Sequence, residues 1–85
     1  MLPSEQVLTI LEEIAEDDGL HQNLDTRLYE EHILDSLKTV ELMIALGDAF
    51  GIDIAPTSFE PEQWATPRRI IAMIEGALRS RAVAL

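Results

Sequence analysis

Residues 36–50, Ser-Leu-Lys-Thr-Val-Glu-Leu-Met-Ile-Ala-Leu-Gly-Asp-Ala-Phe, constrain the fold more than any other stretch of this chain. At 100° per residue, Thr39, Leu42, Met43, Leu46, Ala49 and Phe50 share one face, which predicts an α-helix with that face in a core. Asp35 is a suitable N-cap acceptor before it and Gly51 a suitable C′ residue after it. Leu37, Val40 and Ile44 fall together on the opposite side. A helix with two apolar stripes is either enclosed or offers one stripe to a partner. Eighty-five residues make one small domain, too small to enclose a helix all round, so the second stripe is expected to meet a partner. Glu41 and Asp48 flank it and could pair with partner cations. Gly47 costs about 1 kcal/mol relative to Ala in a helix interior, and its place beside Val40 and Ile44 suggests close approach by another backbone.

The rest of the chain supplies what packs against that face. Ser4 can cap a first helix over 4–17, with Val7, Ile10, Leu11 and Ile14 as its buried stripe, Glu12, Glu13 and Glu16 on the wet side and Gly19 as a stop. From Asp18 to Asp35 no period persists, so Leu24, Leu28, Ile33 and Leu34 are expected to anchor an ordered loop, with Asp25 and Thr26 making local bonds. His21 and His32 form no metal signature, since they have no cysteine and no helical i, i+4 partner. Asp17-Asp18-Gly19 does not fit a calcium loop either, so no metal is expected. Ile52 to Pro56 reads as an extended connector. Ser58 to Ala65 can form a short third helix or turn anchored by Phe59 and Trp64, with Pro61 early in it. Thr66-Pro67 is an N-cap followed by proline at N1, a start signal for a last helix with Ile70, Ile71, Ile74, Ala77 and Leu78 on one stripe. Arg68 and Arg69 then lie at the unfavourable end of its dipole and are expected to be compensated by nearby acids. After Ser80 the period fades. The expectation is therefore an all-α domain over 1–80, a four-helix bundle with a long first loop and a short third helix, followed by a fraying tail at 81–85.

Charge narrows the partners. The net charge is −10, and all the acids except Glu75 precede residue 67. Such a surface repels phosphate backbones, which argues against nucleic acid and favours basic partners, although solubility alone also explains an acidic excess. No long uncharged apolar run and no basic-then-apolar N-terminus are present, so neither a membrane span nor a signal peptide is expected, and the cytoplasm is the expected location. There is no cysteine, hence no disulfide and no thiol of the chain's own.

Ser36 is the candidate chemical centre. At the start of the central helix its Oγ faces the positive end of the dipole, where an esterified phosphate would be stabilised, although serine near a helix start is also ordinary capping chemistry. The flanking residues weigh against capping alone. Asp25-x-x-Leu28, Ile33-Leu34-Asp35-Ser36-Leu37, Val40-Glu41-Leu42 and Phe50-Gly51-Ile52 together resemble the acyl and peptidyl carrier protein family, over nearly the whole chain to Ile74. In that family the serine of the Asp-Ser-Leu motif is esterified to 4′-phosphopantetheine, taken from coenzyme A by a phosphopantetheinyl transferase. The resemblance implies that Ser36 is the attachment point and that Asp35 helps the transferase orient coenzyme A and magnesium. It also implies that Leu37, Val40 and Ile44 dock partner enzymes. His32 stands where the family usually has glycine, so a backbone needing φ > 0 there would be strained.

Within the family, Leu28-Tyr29-Glu30-Glu31-His32-Ile33-Leu34-Asp35-Ser36 and Phe59 through Trp64-Ala65-Thr66-Pro67 to Ile70-Ile71-Ala72 are similar to the D-alanyl carrier proteins of teichoic acid alanylation. That resemblance implies a non-catalytic carrier loaded with an aminoacyl thioester, D-alanyl first, by an ATP-dependent adenylating ligase, and emptied by a downstream acyl-accepting enzyme. The alternatives are a fatty-acid or polyketide-type acyl carrier served by an acyltransferase, or a type II peptidyl carrier. A helical adaptor that binds non-covalently is the reading from another class. A serine hydrolase using Ser36, His32 and Asp35 is disfavoured, because adjacent Asp and Ser cannot form a relay through a third side chain and no nucleophile elbow is present.

Overall fold

The computed structural model describes residues 2–54 and 60–83, with side chains to residue 79. It contains α1 (Pro3–Ala15), α2 (Ser36–Phe50) and α3 (Pro67–Val83), with short 3-10 turns at Leu20–Gln22 and Pro61–Trp64, and no strand among the described residues. The anchor Phe59 and the expected start of that segment at Ser58 lie outside those residues. What is described of the expected third helix is the 3-10 turn Pro61–Trp64, which places Trp64 in the core.

α1 packs on both α2 and α3. Its Val7, Leu8, Leu11 and Ala15 are buried against Leu42, Met43 and Leu46 of α2, Ile70, Ile71 and Ile74 of α3, and Leu20, Leu28, Leu34 and Trp64 from the connections. The helix begins one residue before the expected start, because Pro3 occupies its opening turn with Leu2 as N-cap. Ser4 therefore lies inside the helix and does not cap it. It ends at Glu16, in the left-handed region at φ 57, so the stop falls three residues ahead of Gly19. Glu12, expected on the wet side, is largely covered. The His21 amide donates to its Oε2 at 3.0 Å and His21 Nδ1 lies 2.7 Å from its Oε1, which ties the first 3-10 turn to α1. Burial pushes the Glu12 carboxyl up, but the hydrogen bonds and charge of His21 together with the Leu20 amide outweigh it and hold the group below its ordinary value.

α2 keeps the expected bounds at both ends. The Lys38 amide donates to Asp35 Oδ1 at 2.8 Å, and Gly51 follows at φ 64. Thr39, Leu42, Met43 and Leu46 are buried as expected, but Ala49 is exposed and Phe50, which packs against the edge of the core, is only half-buried. Gly47 has its close neighbour. A Cβ there would stand 3.0 Å from the Ile52 carbonyl oxygen, while the Ile52 amide donates to the Gly47 carbonyl at 3.1 Å.

The long loop is fastened to the start of α3. The Leu28 amide donates to the Ala65 carbonyl and the Arg68 amide to the Leu24 carbonyl, each at 2.9 Å. Arg68 also grips Asp25 with two bonds, Nε to Oδ1 at 2.9 Å and Nη2 to Oδ2 at 3.3 Å, which is the acidic compensation its place on the helix requires. Arg69 donates instead to the Glu62 carbonyl, and its amide bonds Thr66 Oγ1 at 3.2 Å, so Thr66 caps α3. The backbone helix of α3 continues to Val83, beyond the point where its apolar period fades.

Candidate functional site: the N-terminus of α2

The approach to Ser36 is a single helical turn closed by a Schellman motif. The Glu31 amide bonds the Arg27 carbonyl, the His32 amide bonds the Tyr29 carbonyl at 3.2 Å, and the Ile33 amide bonds the Leu28 carbonyl at 2.8 Å. The residue that turns the chain is His32, with φ 60. This is the left-handed position at which glycine is usual, and an exposed histidine holds it. Leu34 then drops into the core, and Asp35, extended at φ −131, opens α2.

Ser36 occupies the first helical position and is exposed. Its hydroxyl therefore meets solvent at the positive end of the helix dipole, beside the Asp35 carboxylate that already takes the Lys38 amide. A phosphodiester on this oxygen fits the surroundings. Beside it runs an open, mostly apolar groove of about 470 Å³ lined by Tyr29, Asp35, Ser36, Thr39, Val40, Met43 and Pro61. Inside the groove Tyr29 Oη lies 2.7 Å from Thr39 Oγ1, and Thr39 Oγ1 donates to the Asp35 carbonyl at 2.7 Å. Burial pushes the Tyr29 phenol above its ordinary value of 10.0, with the bond to Thr39 acting in the opposite direction. Neither Tyr29 nor Thr39 stood out as a site residue in the sequence. The only signal was a hydroxyl at Thr39 on an otherwise apolar core face.

The second stripe of α2 is at the surface. Leu37 is 69% exposed, Ile44 61% and Val40 41%. Glu41 and Asp48 are exposed as well. The structure thus separates the two apolar stripes of α2 into a buried and an exposed set, and puts Asp35, Ser36 and Leu37 at one end of the exposed one. His21 and His32 do not come together: His21 is held by Glu12, and among the described residues no three ligating side chains converge. No helix among the described residues is long and apolar enough to cross a membrane.

Residues 5–74 match the family model described as the phosphopantetheine attachment site. The chain is 42% identical over 71 residues to D-alanyl carrier proteins of Bacillus cereus and Bacillus anthracis, an alignment covering 84% of this chain and 90% of each relative. An exposed serine on a capped helix start, the match along most of the domain and the identity to these relatives converge: the chain belongs to the family of carrier proteins that bear a 4′-phosphopantetheine group, in its D-alanyl carrier subfamily.

Proposed function

We propose that Ser36 is the residue esterified and that the protein is a non-catalytic carrier of a D-alanyl group. The observation that carries the first half is the exposed Ser36 hydroxyl at the first position of α2, capped by Asp35. In the modification Ser36 Oγ bonds to the phosphorus next to the pantetheine arm of coenzyme A, and the bond from that phosphorus to the adenosine half breaks. Adenosine 3′,5′-bisphosphate leaves, and the hydroxyl proton passes to a base of the transferase. The chain's own contributions are to expose the nucleophile, to place it where the added phosphate is stabilised, and through Asp35 to help orient coenzyme A and magnesium. When bound, the group supplies the thiol that this cysteine-free chain lacks.

The exposed stripe Leu37, Val40 and Ile44, flanked by Glu41 and Asp48, is the surface on which the transferase, an adenylating D-alanine ligase and the accepting enzyme dock in turn. The 42% identity to D-alanyl carrier proteins supports this cargo over a fatty-acyl or polyketide one. In the finer description the fold is the four-helix carrier bundle, with the 3-10 turn at Pro61–Trp64 as part of its short third helix. The cytoplasm, where coenzyme A and ATP are available, is the proposed location.

Two measurements test this. Incubation with coenzyme A, magnesium and a broad phosphopantetheinyl transferase should add one phosphopantetheinyl group by intact mass. Ser36→Ala should abolish the addition while leaving the circular dichroism unchanged, and a label on any other serine refutes the assignment. Holo protein should then form an aminoacyl thioester with D-alanine, ATP and a D-alanine carrier ligase. Efficient malonyl loading from malonyl-coenzyme A without any aminoacyl thioester would exclude the D-alanyl cargo and leave the carrier assignment standing.

A further inference from the structure

The core face of α2 contains one hydroxyl, Thr39, only 3% exposed among Leu42, Met43 and Leu46. Its direction of donation is fixed by its neighbours. The Asp35 carbonyl can only accept, so the Thr39 hydroxyl proton is committed to that bond at 2.7 Å. Tyr29 must therefore donate to Thr39 Oγ1 across the other 2.7 Å contact. The same Asp35 carbonyl also accepts the Thr39 amide at 2.9 Å, and the Asp35 carboxylate takes the Lys38 amide at 2.8 Å. The peptide plane shared by Asp35 and Ser36 is thus held by two donors from Thr39, one of them oriented in turn by a phenol reaching over from the preceding loop. An aliphatic residue at 39 would fill the core equally well, and only the hydroxyl makes the second bond.

We propose that Tyr29 and Thr39 are positioning residues for Ser36, a relay running Tyr29 Oη to Thr39 Oγ1 to the Asp35 carbonyl that fixes the direction in which the Ser36 hydroxyl leaves the helix. The inference rests on the carrier reading above. Neither side chain takes part in the transfer. They act through the backbone of the residue before the nucleophile, and the relay couples the loop 18–35 to the attachment point. Raised by burial, the phenol keeps its proton to donate. Misplacement of a reacting atom by a fraction of an ångström is enough to slow a step that depends on alignment.

The experiment measures kcat and KM of a phosphopantetheinyl transferase with the apo protein as the varied substrate. Tyr29→Phe, which keeps the ring, should lower kcat about 3- to 10-fold, in keeping with the loss of one hydrogen bond. Thr39→Val, which keeps the shape and removes both hydroxyl contacts, should lower it by about 10-fold or more. In both variants KM should hold, since Leu37, Val40 and Ile44 are untouched. Thr39→Ser, which restores the hydroxyl, should return kcat to within about twofold of the wild type. The amide resonance of Ser36 should shift in Tyr29→Phe, a change that loss of stability without loss of alignment does not produce. Should Thr39→Val fail to fold, Tyr29→Phe and Thr39→Ser still decide the matter. Variants that modify at the wild-type kcat, or that raise KM at constant kcat, overturn the relay alone. A wild-type protein that accepts no label overturns the carrier reading and the relay with it.

Discussion

His32 is the residue whose backbone and chemistry disagree. Its φ of 60 closes the Schellman motif ahead of Asp35, and its side chain is exposed. A left-handed non-glycine residue costs on the order of 1 kcal/mol. His32→Gly should therefore raise stability by about 1 kcal/mol, a Tm increase of about 4–8 °C for a domain of this size, read by thermal unfolding. An unchanged or lower Tm would mean that the imidazole makes a stabilising contact that offsets its backbone. Glu16 bears the same conformation at the end of α1, at φ 57, so the fold pays twice for left-handed residues that glycine would fill without strain.

At the scale of the element, α2 is two surfaces on one rod. Leu46 is fully buried and Ile44, two residues away, is 61% exposed. Leu46→Ala should destabilise by about 2–4 kcal/mol through the cavity it leaves, whereas Ile44→Glu should change stability by less than about 0.5 kcal/mol and impair modification or loading. Equal losses in urea unfolding would show Ile44 to be structural. This division was legible in the sequence because the apolar residues of α2 repeat at helical spacing and both ends are marked by residues, Asp35 and Gly51, whose chemistry suits the position. Thr66-Pro67 was legible at the start of α3 for the same reason. What was not legible has physical causes as definite. Glutamate gives no sign that it will end a helix in the left-handed region, so periodicity alone carries α1 past Glu16. A carboxylate on a nominally wet face does not announce a bond to a histidine in the next turn, so the pattern alone leaves Glu12 in water. The exposure of Ala49 depends on what covers the last turn of α2, which is a property of packing and not of periodicity. The grip of Arg68 on Asp25 spans 43 residues, and composition foresaw only that some acid would be near. The Tyr29–Thr39 contact was hidden because a lone hydroxyl on the apolar face of α2 does not name its partner in the preceding loop.

At the scale of the whole molecule, loop and helices are joined by ionic clasps, Glu12 with His21 and Asp25 with Arg68. For Glu12, burial acts upward and the His21 bonds overcome it, so its carboxyl titrates below the ordinary 4.5; the Arg68 hydrogen bond and charge hold Asp25 below its ordinary 3.8. Carboxyls whose folded values lie below their unfolded ones stabilise the fold above the unfolded value, and that contribution is lost as pH falls through the folded one. Stability should accordingly decline as pH drops from about 4.5 towards 2, and the decline should be shallower in Glu12→Gln and Asp25→Asn. Tm against pH for the three proteins measures this, and parallel curves would assign the acid sensitivity to other groups. Because every variant shares nearly the same large negative charge, the comparison removes the general relief of repulsion on protonation. The bonds that fasten the loop to α3, from the Leu28 amide to Ala65 and from the Arg68 amide to Leu24, have a temporal meaning as well. A chain emerging from the ribosome makes Ser36 before it makes Ala65 or Arg68, and until those residues arrive the loop can close against α1 and α2 but lacks these two bonds. The serine is made early, but two of the bonds that hold the loop leading to it are completed only when the start of α3 exists, so the shape of that loop depends on residues some thirty positions downstream of Ser36.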